Sequence, residues 1–250
     1  MTEHEVLLSL IDDKMQKCEN EYSVTHTRFL NLSERSAAEA HCRGLLPRHI
    51  FHGGYPDAER TVMFFIPDYI ESLPEKEDPL CVVSCRVPSA SRALSHRDYL
   101  GSLLALGLTR DVIGDILVSE NGAQIVVMQS VAEYILANYE KAGTVPLKVS
   151  IGALDTLCPP VLETETVRES VASLRLDNML CAAFNLSRSN ATEAISKKLV
   201  FVNDTEMSKP DMKLNVGDKL VLRGKGKAYF RELGGTTRKG RLSVILEIYR

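Results

Sequence analysis

The sequence predicts an α+β protein made of three successive segments, and two observations support this prediction. Runs with the two-residue alternation of strands are interleaved with runs whose apolar residues recur at the three- and four-residue steps of amphipathic helices. Polar stretches, one of them with two prolines, separate the segments at ESLPEKEDP (71–79) and ETETVRES (163–170). We therefore expect a mostly helical domain at 1–75, a mixed domain at 76–160 and a second mixed domain at 174–250.

The first segment opens with an amphipathic helix. Its apolar residues at helical spacing are Val6, Leu7, Leu10, Ile11 and Met15. A second helical pattern covers 33–43, and TVMFFIP (61–67) predicts a short buried strand that ends at the proline. Between them, the glycines of HGGYPDAER (52–60) indicate a turn, which is either structural or a contact with a partner.

The middle segment predicts the order β-α-β-β-α-β, which is that of a ferredoxin-like (RRM-like) unit. The predicted elements are LCVVSCRV (80–87), a helix over 96–108, DILVSE (115–120), AQIVVMQ (123–129), a helix over 131–140 and PLKVSIG (146–152). Asn121 and Gly122 predict a two-residue hairpin turn between the two middle strands. The strands LCVVSCRV and AQIVVMQ lack the aromatic residues on which such units stack bases. Contact with RNA would then use arginines, namely Arg86, Arg92, Arg97 and Arg110, and a scaffold role is an equal alternative.

The third segment predicts two helices followed by strands. Leu176, Met179, Leu180 and Ala183 share one face of the first helix. Ser187, Ser189 or Asn190 can cap the second helix, and three strands follow at 199–203, 219–223 and 242–249.

Charge divides the chain unevenly. Residues 174–250 hold 15 Lys+Arg against 8 Asp+Glu, a net charge of +7, whereas residues 1–173 hold 15 against 25, a net charge of −10. A basic module beside an acidic remainder is typical of nucleic-acid-binding proteins, although a solvated charged surface would look similar.

Composition points to the cytoplasm. No apolar run is long enough to cross a bilayer, and the N-terminus lacks the basic start and cleavage site of a secretory signal. The six cysteines include no CxxC pair, which argues against disulfides and structural zinc and predicts buried thiols in a reducing compartment. His41, Cys42, His49 and His52 fit no zinc signature, and we expect neither a metal nor a cofactor.

Four stretches in order, RLDNML (175–180), LSRSNATEAI (186–195), VFVND (200–204) and VGDKLVLRGKGK (216–227), resemble the S4 (alpha-L) RNA-binding domain. The resemblance implies that the two helices present a basic surface to RNA, and helix N-termini would add a site for phosphate. The RNA-binding residues expected are Arg175, Ser187, Arg188, Lys197, Lys198, Arg223, Lys225, Lys227, Arg238, Lys239 and Arg241, with Arg97 and Arg110 as secondary contacts.

Two positions depart from the S4 pattern. Lys198 stands where the domain usually has a glycine, so a positive φ there would cost on the order of 1 kcal/mol. Lys227 replaces a common arginine and loses bidentate geometry but keeps the charge.

The resemblance extends to most of the chain. Residues 94–127, HGGYPDAER, VASLRLDNML and GGTTRKGR look like the YlmH family of bacterial RNA-binding proteins, and the first seventy residues match least well. This resemblance implies a non-catalytic, cytoplasmic protein that binds ribosomal or transfer RNA on the large ribosomal subunit, in quality control of stalled translation. It implies no DNA specificity and no membrane.

Two alternatives stay open. The first is a protein-interaction factor associated with cell division, because the family has been linked to division and the N-terminal part is acidic. The second is an RNA-modifying enzyme of the pseudouridine synthase type, because S4 domains are often fused to such enzymes. Those enzymes need a catalytic aspartate within a longer RLD-type motif in a large second domain. The only RLD sequence of this chain, at 175–177, belongs to the first helix of the predicted RNA module.

Overall fold

A computed structural model describes residues 2–45, 47–88, 92–159, 164–237 and 240–249. The chain forms two compact units, Met1–Pro160 and Val161–Arg250. Both units mix helices and sheets, which confirms the predicted α+β class. Within the described ranges, no helix is long and apolar enough to cross a membrane.

The first unit begins with two helices and a small sheet. Its elements are α1 (Glu3–Glu21), β1 (Thr25–Leu30), α2 (Leu32–Cys42), β2 (Arg48–His52) and β3 (Thr61–Ile66), and the strand order is β1-β3-β2. The sequence predicted both helices and the fully buried β3, but not β1 and β2. The predicted apolar face of α1 is wrong in part, because Val6 and Leu10 are 40% and 52% exposed. Leu7, Ile11 and Cys18 form the side that packs inward.

The rest of this unit has the predicted ferredoxin-like topology. Its elements are β4 (Leu80–Arg86), α3 (His96–Ala105), β5 (Ile113–Ser119), β6 (Gly122–Met128), α4 (Gln129–Asn138), the small hairpin of β7 (Lys141–Ala142) and β8 (Val145–Pro146), and β9 (Lys148–Gly152). The sheet order is β5-β6-β4-β9, as expected when the first and third strands lie in the centre.

The hairpin turn lies one residue earlier than predicted. Ser119 pairs with Gly122, so the two loop residues are Glu120 and Asn121. Gly122 is itself in the strand with a φ of 147°, and a Cβ there would lie 1.8 Å from the Cys85 carbonyl oxygen. The glycine is therefore needed for close packing of two strands rather than for the turn.

The two sheets of the first unit pack against each other. Phe64 and Ile66 of β3 share a buried cluster with Leu80, Val126 and Met128 of the ferredoxin-like sheet. In an RRM-like domain this sheet face would be the surface that stacks bases. Because the small sheet covers this part of it, any RNA contact by the first unit must use other residues.

The second unit is one six-stranded antiparallel sheet with two helices on one side. Its elements are β10 (Thr164–Val171), α5 (Leu176–Phe184), α6 (Arg188–Ser196), β11 (Val200–Val202), β12 (Thr205–Glu206), β13 (Lys219–Leu222), β14 (Gly226–Thr236) and β15 (Leu242–Tyr249). The strand order is β10-β15-β14-β13-β11-β12.

Two strands of this sheet, β10 and β14, were not predicted from the sequence. The polar stretch taken as a linker is β10, which pairs with β15 along its whole length, from Thr164 to Val171. The stretch at 224–227, which was assigned to no strand from the sequence, runs into β14, an eleven-residue strand that was not predicted. With β10 included, the second unit carries 16 Lys+Arg against 11 Asp+Glu, a net charge of +5, and the first unit carries −8.

The cysteines differ in exposure. Cys18, Cys42, Cys81 and Cys85 are buried as predicted, Cys181 is half-buried, and Cys158 is exposed. Burial is the main cause that raises the pKa of Cys81 to about 11 and that of Cys85 to about 12, so both thiols stay protonated.

Candidate RNA interface

The two predicted helices begin next to each other, because Arg175 and Arg188 contact the same carboxylate. Arg175 is the residue before α5, and Arg188 is the first residue of α6. Ser187 caps α6 by accepting a hydrogen bond from the Asn190 backbone N–H at 3.1 Å. Of the three capping candidates, Ser187 is therefore the one that caps α6, and Arg188 lies on the first turn of the helix.

Asp177 joins the two arginines. Its Oδ1 accepts from Arg175 Nε at 3.1 Å, and its Oδ2 accepts from Arg188 Nη2 at 3.2 Å. The Asp177 side chain is 3% exposed, whereas the side chains of Arg175 and Arg188 are 37% and 68% exposed. The guanidinium groups are therefore held from beneath by a buried acid and still reach solvent.

The ionisation of Asp177 follows from these contacts. Burial by itself would raise the pKa of this carboxyl, but hydrogen bonds from Arg175, Arg188 and the Asn178 backbone outweigh burial and lower it. Asp177 is thus a carboxylate at neutral pH and keeps both arginines oriented.

A further cation lies beside this cluster. Lys213 forms a backbone bridge with Arg175, and Leu214 N–H donates to the Leu174 carbonyl at 2.9 Å. Lys213 is exposed. Neither Lys213 nor the role of Asp177 was predicted from the sequence. The Asp177 signal was present as an acid two residues after an arginine, whereas Lys213 is distant in sequence and carries no local signal.

A second group of predicted cations lies at the far end of α6. Lys197 directly follows the last residue of α6 and forms an ion pair with Glu193 at 2.6 Å. Lys198 has a φ of 58°, so the turn keeps the strained backbone that the S4 pattern gives to glycine, and its Nζ lies 3.1 Å from Glu206. The Arg223 backbone N–H donates to the Leu199 carbonyl, which brings this arginine to the same end. A nine-residue helix, about 13 Å long, separates this group from Arg188.

The remaining predicted residues do not join either group. Lys225 lines a cavity of about 550 Å³ together with Glu165 and Glu169, near the last residues of α5. Ala228 and Phe230 of β14 pack on the helix side. Lys227 precedes Ala228, so it lies on the side of the sheet away from the helices, because successive side chains of a strand alternate. Arg241 donates to the Ser170 carbonyl, and Arg238 and Lys239 fall outside the described residues. The predicted cations therefore do not form one surface. Lys227 lies on the other side of the sheet, and Lys225 joins neither of the two groups.

The secondary residues lie in the first unit. Arg97 is exposed on the first turn of α3, and Arg110 is half-buried. Arg92 forms an ion pair with Asp98 at 2.9 Å, and Arg86 ends β4 exposed. These four arginines lie on separate loops or element ends.

HGGYPDAER has a structural role within the first unit. Asp115 accepts from the Tyr55 hydroxyl at 2.7 Å and from the backbone N–H groups of Glu59 and Arg60 at 2.8 and 3.1 Å. Arg60 in turn donates to the Arg110 carbonyl at 2.7 Å. This network fastens the turn to the start of β5, which supports the structural alternative for this motif.

Comparison with known proteins finds a family model that matches part of each unit. Residues 174–220 match the family model described as "S4 domain", and residues 74–155 match the one described as "Putative RNA-binding domain in YlmH". The chain is 31% identical over 198 residues to the ribosome-associated protein quality control protein P2 of Bacillus subtilis (strain 168), a match that covers 79% of this chain and 76% of that protein. The solved structure of cell division protein ylmH from Streptococcus pneumoniae has a TM-score of 0.52 and 18% identity, covering 62% of this chain and 94% of that one. At 18% identity, this structural match shows a shared fold. The S4 match includes both arginines that contact Asp177.

Proposed function

Because the chain belongs to the YlmH family of S4-domain RNA-binding proteins, as its motifs predicted, we propose that it binds ribosomal or transfer RNA without catalysing a reaction. The place of action proposed is the large ribosomal subunit in the cytoplasm, in quality control of stalled translation. The name of the Bacillus subtilis relative supports this role. The observation that carries the proposal is the pair of exposed guanidiniums held by one buried carboxylate.

The geometry suits a phosphate backbone. Arg175 and Arg188 converge on Asp177 from the starts of two helices, where backbone N–H groups and the helix dipole also favour an anion. A guanidinium that is already oriented loses less side-chain freedom on binding than a free one. Lys213 adds a third positive charge next to Arg175.

The same carboxylate weighs against the enzyme alternative. A pseudouridine synthase needs an aspartate that can reach its substrate, and the RLD aspartate of this chain is Asp177. Its side chain is 3% exposed and hydrogen-bonded to two arginines. The Asp177 carboxylate therefore holds the two arginines and has no access to a base of an RNA substrate.

The acidic first unit has a different part in this proposal. Its net charge of −8 disfavours wide contact with RNA, and its ferredoxin-like sheet is partly covered. We infer that this unit sets orientation on the ribosome, with Arg97 and Arg110 as local RNA contacts.

Co-sedimentation with purified large subunits over a range of salt concentrations tests the proposal. The variants Arg175→Gln and Arg188→Gln should each weaken binding about three- to tenfold and reduce the slope of log K against log salt by about 0.9. Glutamine is preferred to glutamate because a reversed charge would lie against Asp177 and disturb the fold.

Lys17→Gln is the matched control, because Lys17 is an exposed cation with an acidic neighbour, Glu21, in the first unit. It should leave both affinity and slope unchanged. Equal loss in all three variants, or no loss in either arginine variant, would show that the start of the helix pair is not the interface.

A pull-down from nuclease-treated lysate tests the cell-division alternative. Protein partners that remain bound after the RNA is removed would favour a protein-interaction role.

A further inference from the structure

The second unit has a sheet side that α5 and α6 do not cover. Those helices pack on Phe230 and Leu246, which are paired across β14 and β15. Because side chains of a strand alternate between the two sides of a sheet, the residues next to Phe230 and Leu246 point away from the helices. Residues of the opposite side, which we call the open face, include Arg168, Phe201, Glu206, Lys219, Val221, Lys227, Tyr229, Arg231, Glu232, Ser243, Ile245, Glu247 and Tyr249. Among the described residues of this unit, no helix lies on the open face.

Aromatic rings and cations alternate on the open face. The rings of Tyr229 and Tyr249 lie 5.4 Å apart in an edge-to-face arrangement. Lys227 Nζ lies 5.0 Å from the centre of the Tyr249 ring, and the Arg231 guanidinium lies 4.6 Å from the centre of the Tyr229 ring. Each partly exposed tyrosine therefore has a positive charge beside it.

The face is also concave at one end. The pairing of β14 with β15 shifts twice, between Phe230 and Glu232 and again between Leu233 and Thr236. These irregularities accompany a cavity of about 400 Å³ that is lined by Arg168, Gly235 and Ile245 among others. This volume lies in the range of pockets that hold small ligands, about 300–1,000 Å³.

The charge of the face selects among occupants. Its cations are Arg168, Lys219, Lys227 and Arg231, with Arg223 at the end of β13, and its acids are Glu206, Glu232 and Glu247. Lys219 is paired with Asp204 at 2.8 Å. Glu247 is already paired with Arg231 at 2.5 Å. The surplus of positive charge, spread among aromatic rings, is complementary to a polyanion that also has flat apolar groups.

We propose that the open face binds a single-stranded segment of RNA, with bases stacked on Tyr229 and Tyr249 and phosphates held by the neighbouring cations. Aromatic rings next to cations are the features by which proteins hold unpaired nucleotides without reading their sequence. Arg168, Lys227 and Arg231 lie beside the rings or the cavity, within reach of the strand that crosses them. This surface goes beyond the proposed function, because it lies on the other side of the sheet from the helices and recognises unpaired rather than folded RNA.

The first test measures binding of a fluorescein-labelled ten-nucleotide single-stranded RNA to the full-length protein by fluorescence anisotropy. The double variant Tyr229→Leu/Tyr249→Leu keeps apolar bulk and removes the rings, and it should bind at least tenfold more weakly. The matched control Tyr229→Phe/Tyr249→Phe keeps the rings and should bind like the natural protein. The slope of log K against log salt should be only about −2, from about three phosphate contacts at 0.7 each.

A second measurement does not depend on how well a variant folds. In the natural protein, RNA that contains 4-thiouridine should crosslink to peptides of β14 and β15. The variant Arg175→Gln/Arg188→Gln should keep its affinity for the single strand, so failure of the helix interface and failure of the open face give different results. Crosslinks confined to α5 and α6, equal affinity of the Leu and Phe variants, or no binding of single-stranded RNA would each overturn the proposal. Capture of a protein that the Leu variant loses, without RNA binding, would show that the face serves a protein partner instead.

Discussion

Replacing Asp177 with asparagine should destabilise the second unit by about 2–3 kcal/mol, because it removes the buried charge to which two arginines donate. A fully buried ion pair that loses one partner costs about 3–5 kcal/mol. Here the Asp177 side chain is 3% exposed but that of Arg188 is 68% exposed. Solvent therefore compensates one partner, and the expected cost falls to about 2–3 kcal/mol.

A double-mutant cycle isolates the pair. The variants are Asp177→Asn, Arg188→Gln and both together, and the measured quantity is the free energy of unfolding in urea. We expect a coupling energy of about 1–2 kcal/mol at pH 7, between the values typical of exposed and buried pairs. The exposed pair Glu193 and Lys197 on α6 serves as the control, and its coupling should be clearly smaller.

The pH dependence gives the sign of the effect. Because the folded protein lowers the pKa of Asp177, its contribution to stability is complete above the unfolded pKa of about 3.9 and is lost as pH falls through the folded value. The coupling should therefore be constant from pH 7 to 5 and shrink below about pH 4. A coupling no larger than that of the control, or one that persists undiminished in acid, would refute the idea that a buried carboxylate holds the arginines.

Three further predictions concern single positions. Lys198→Gly should raise the stability of the second unit by about 1 kcal/mol by relieving the positive φ, whereas Lys198→Ala should not, as differential scanning calorimetry can show. Gly122→Ala should cost about 2–4 kcal/mol in urea unfolding, since its Cβ would lie 1.8 Å from the Cys85 carbonyl oxygen; a cost below 1 kcal/mol would contradict the close packing. Asp115→Ala should release the turn at 52–60, and faster hydrogen exchange of the Arg60 amide in that variant is the expected observation.

Local patterns were sufficient where an element is stabilised by its own residues. The apolar spacing of α5, the cap of α6 and the β-α-β-β-α-β order of the middle segment were predicted and are confirmed. These signals are local because helix periodicity, capping and hairpin turns act over a few residues.

The missed strands have no such local signal. β10 reads as a polar stretch, since Val167 and Val171 are its only apolar residues, and it is a strand because β15 pairs with its whole length. β14 contains three glycines and two register shifts, which hide the two-residue alternation that predicts a strand. Both depend on hydrogen bonds to a partner distant in the chain.

For the candidate site, the sequence determined which residues carry charge and which family they belong to, and the folded chain determined which of them act together. Arg175 and Arg188 are thirteen positions apart and meet because Asp177, buried on the first turn of α5, accepts from both. Lys227 lies one residue from the apolar core and points to the other side of the sheet, because successive side chains of a strand alternate. The partition of cations between the helix pair and the open face is thus a consequence of strand pairing, which joins residues too far apart in sequence for any local pattern to relate.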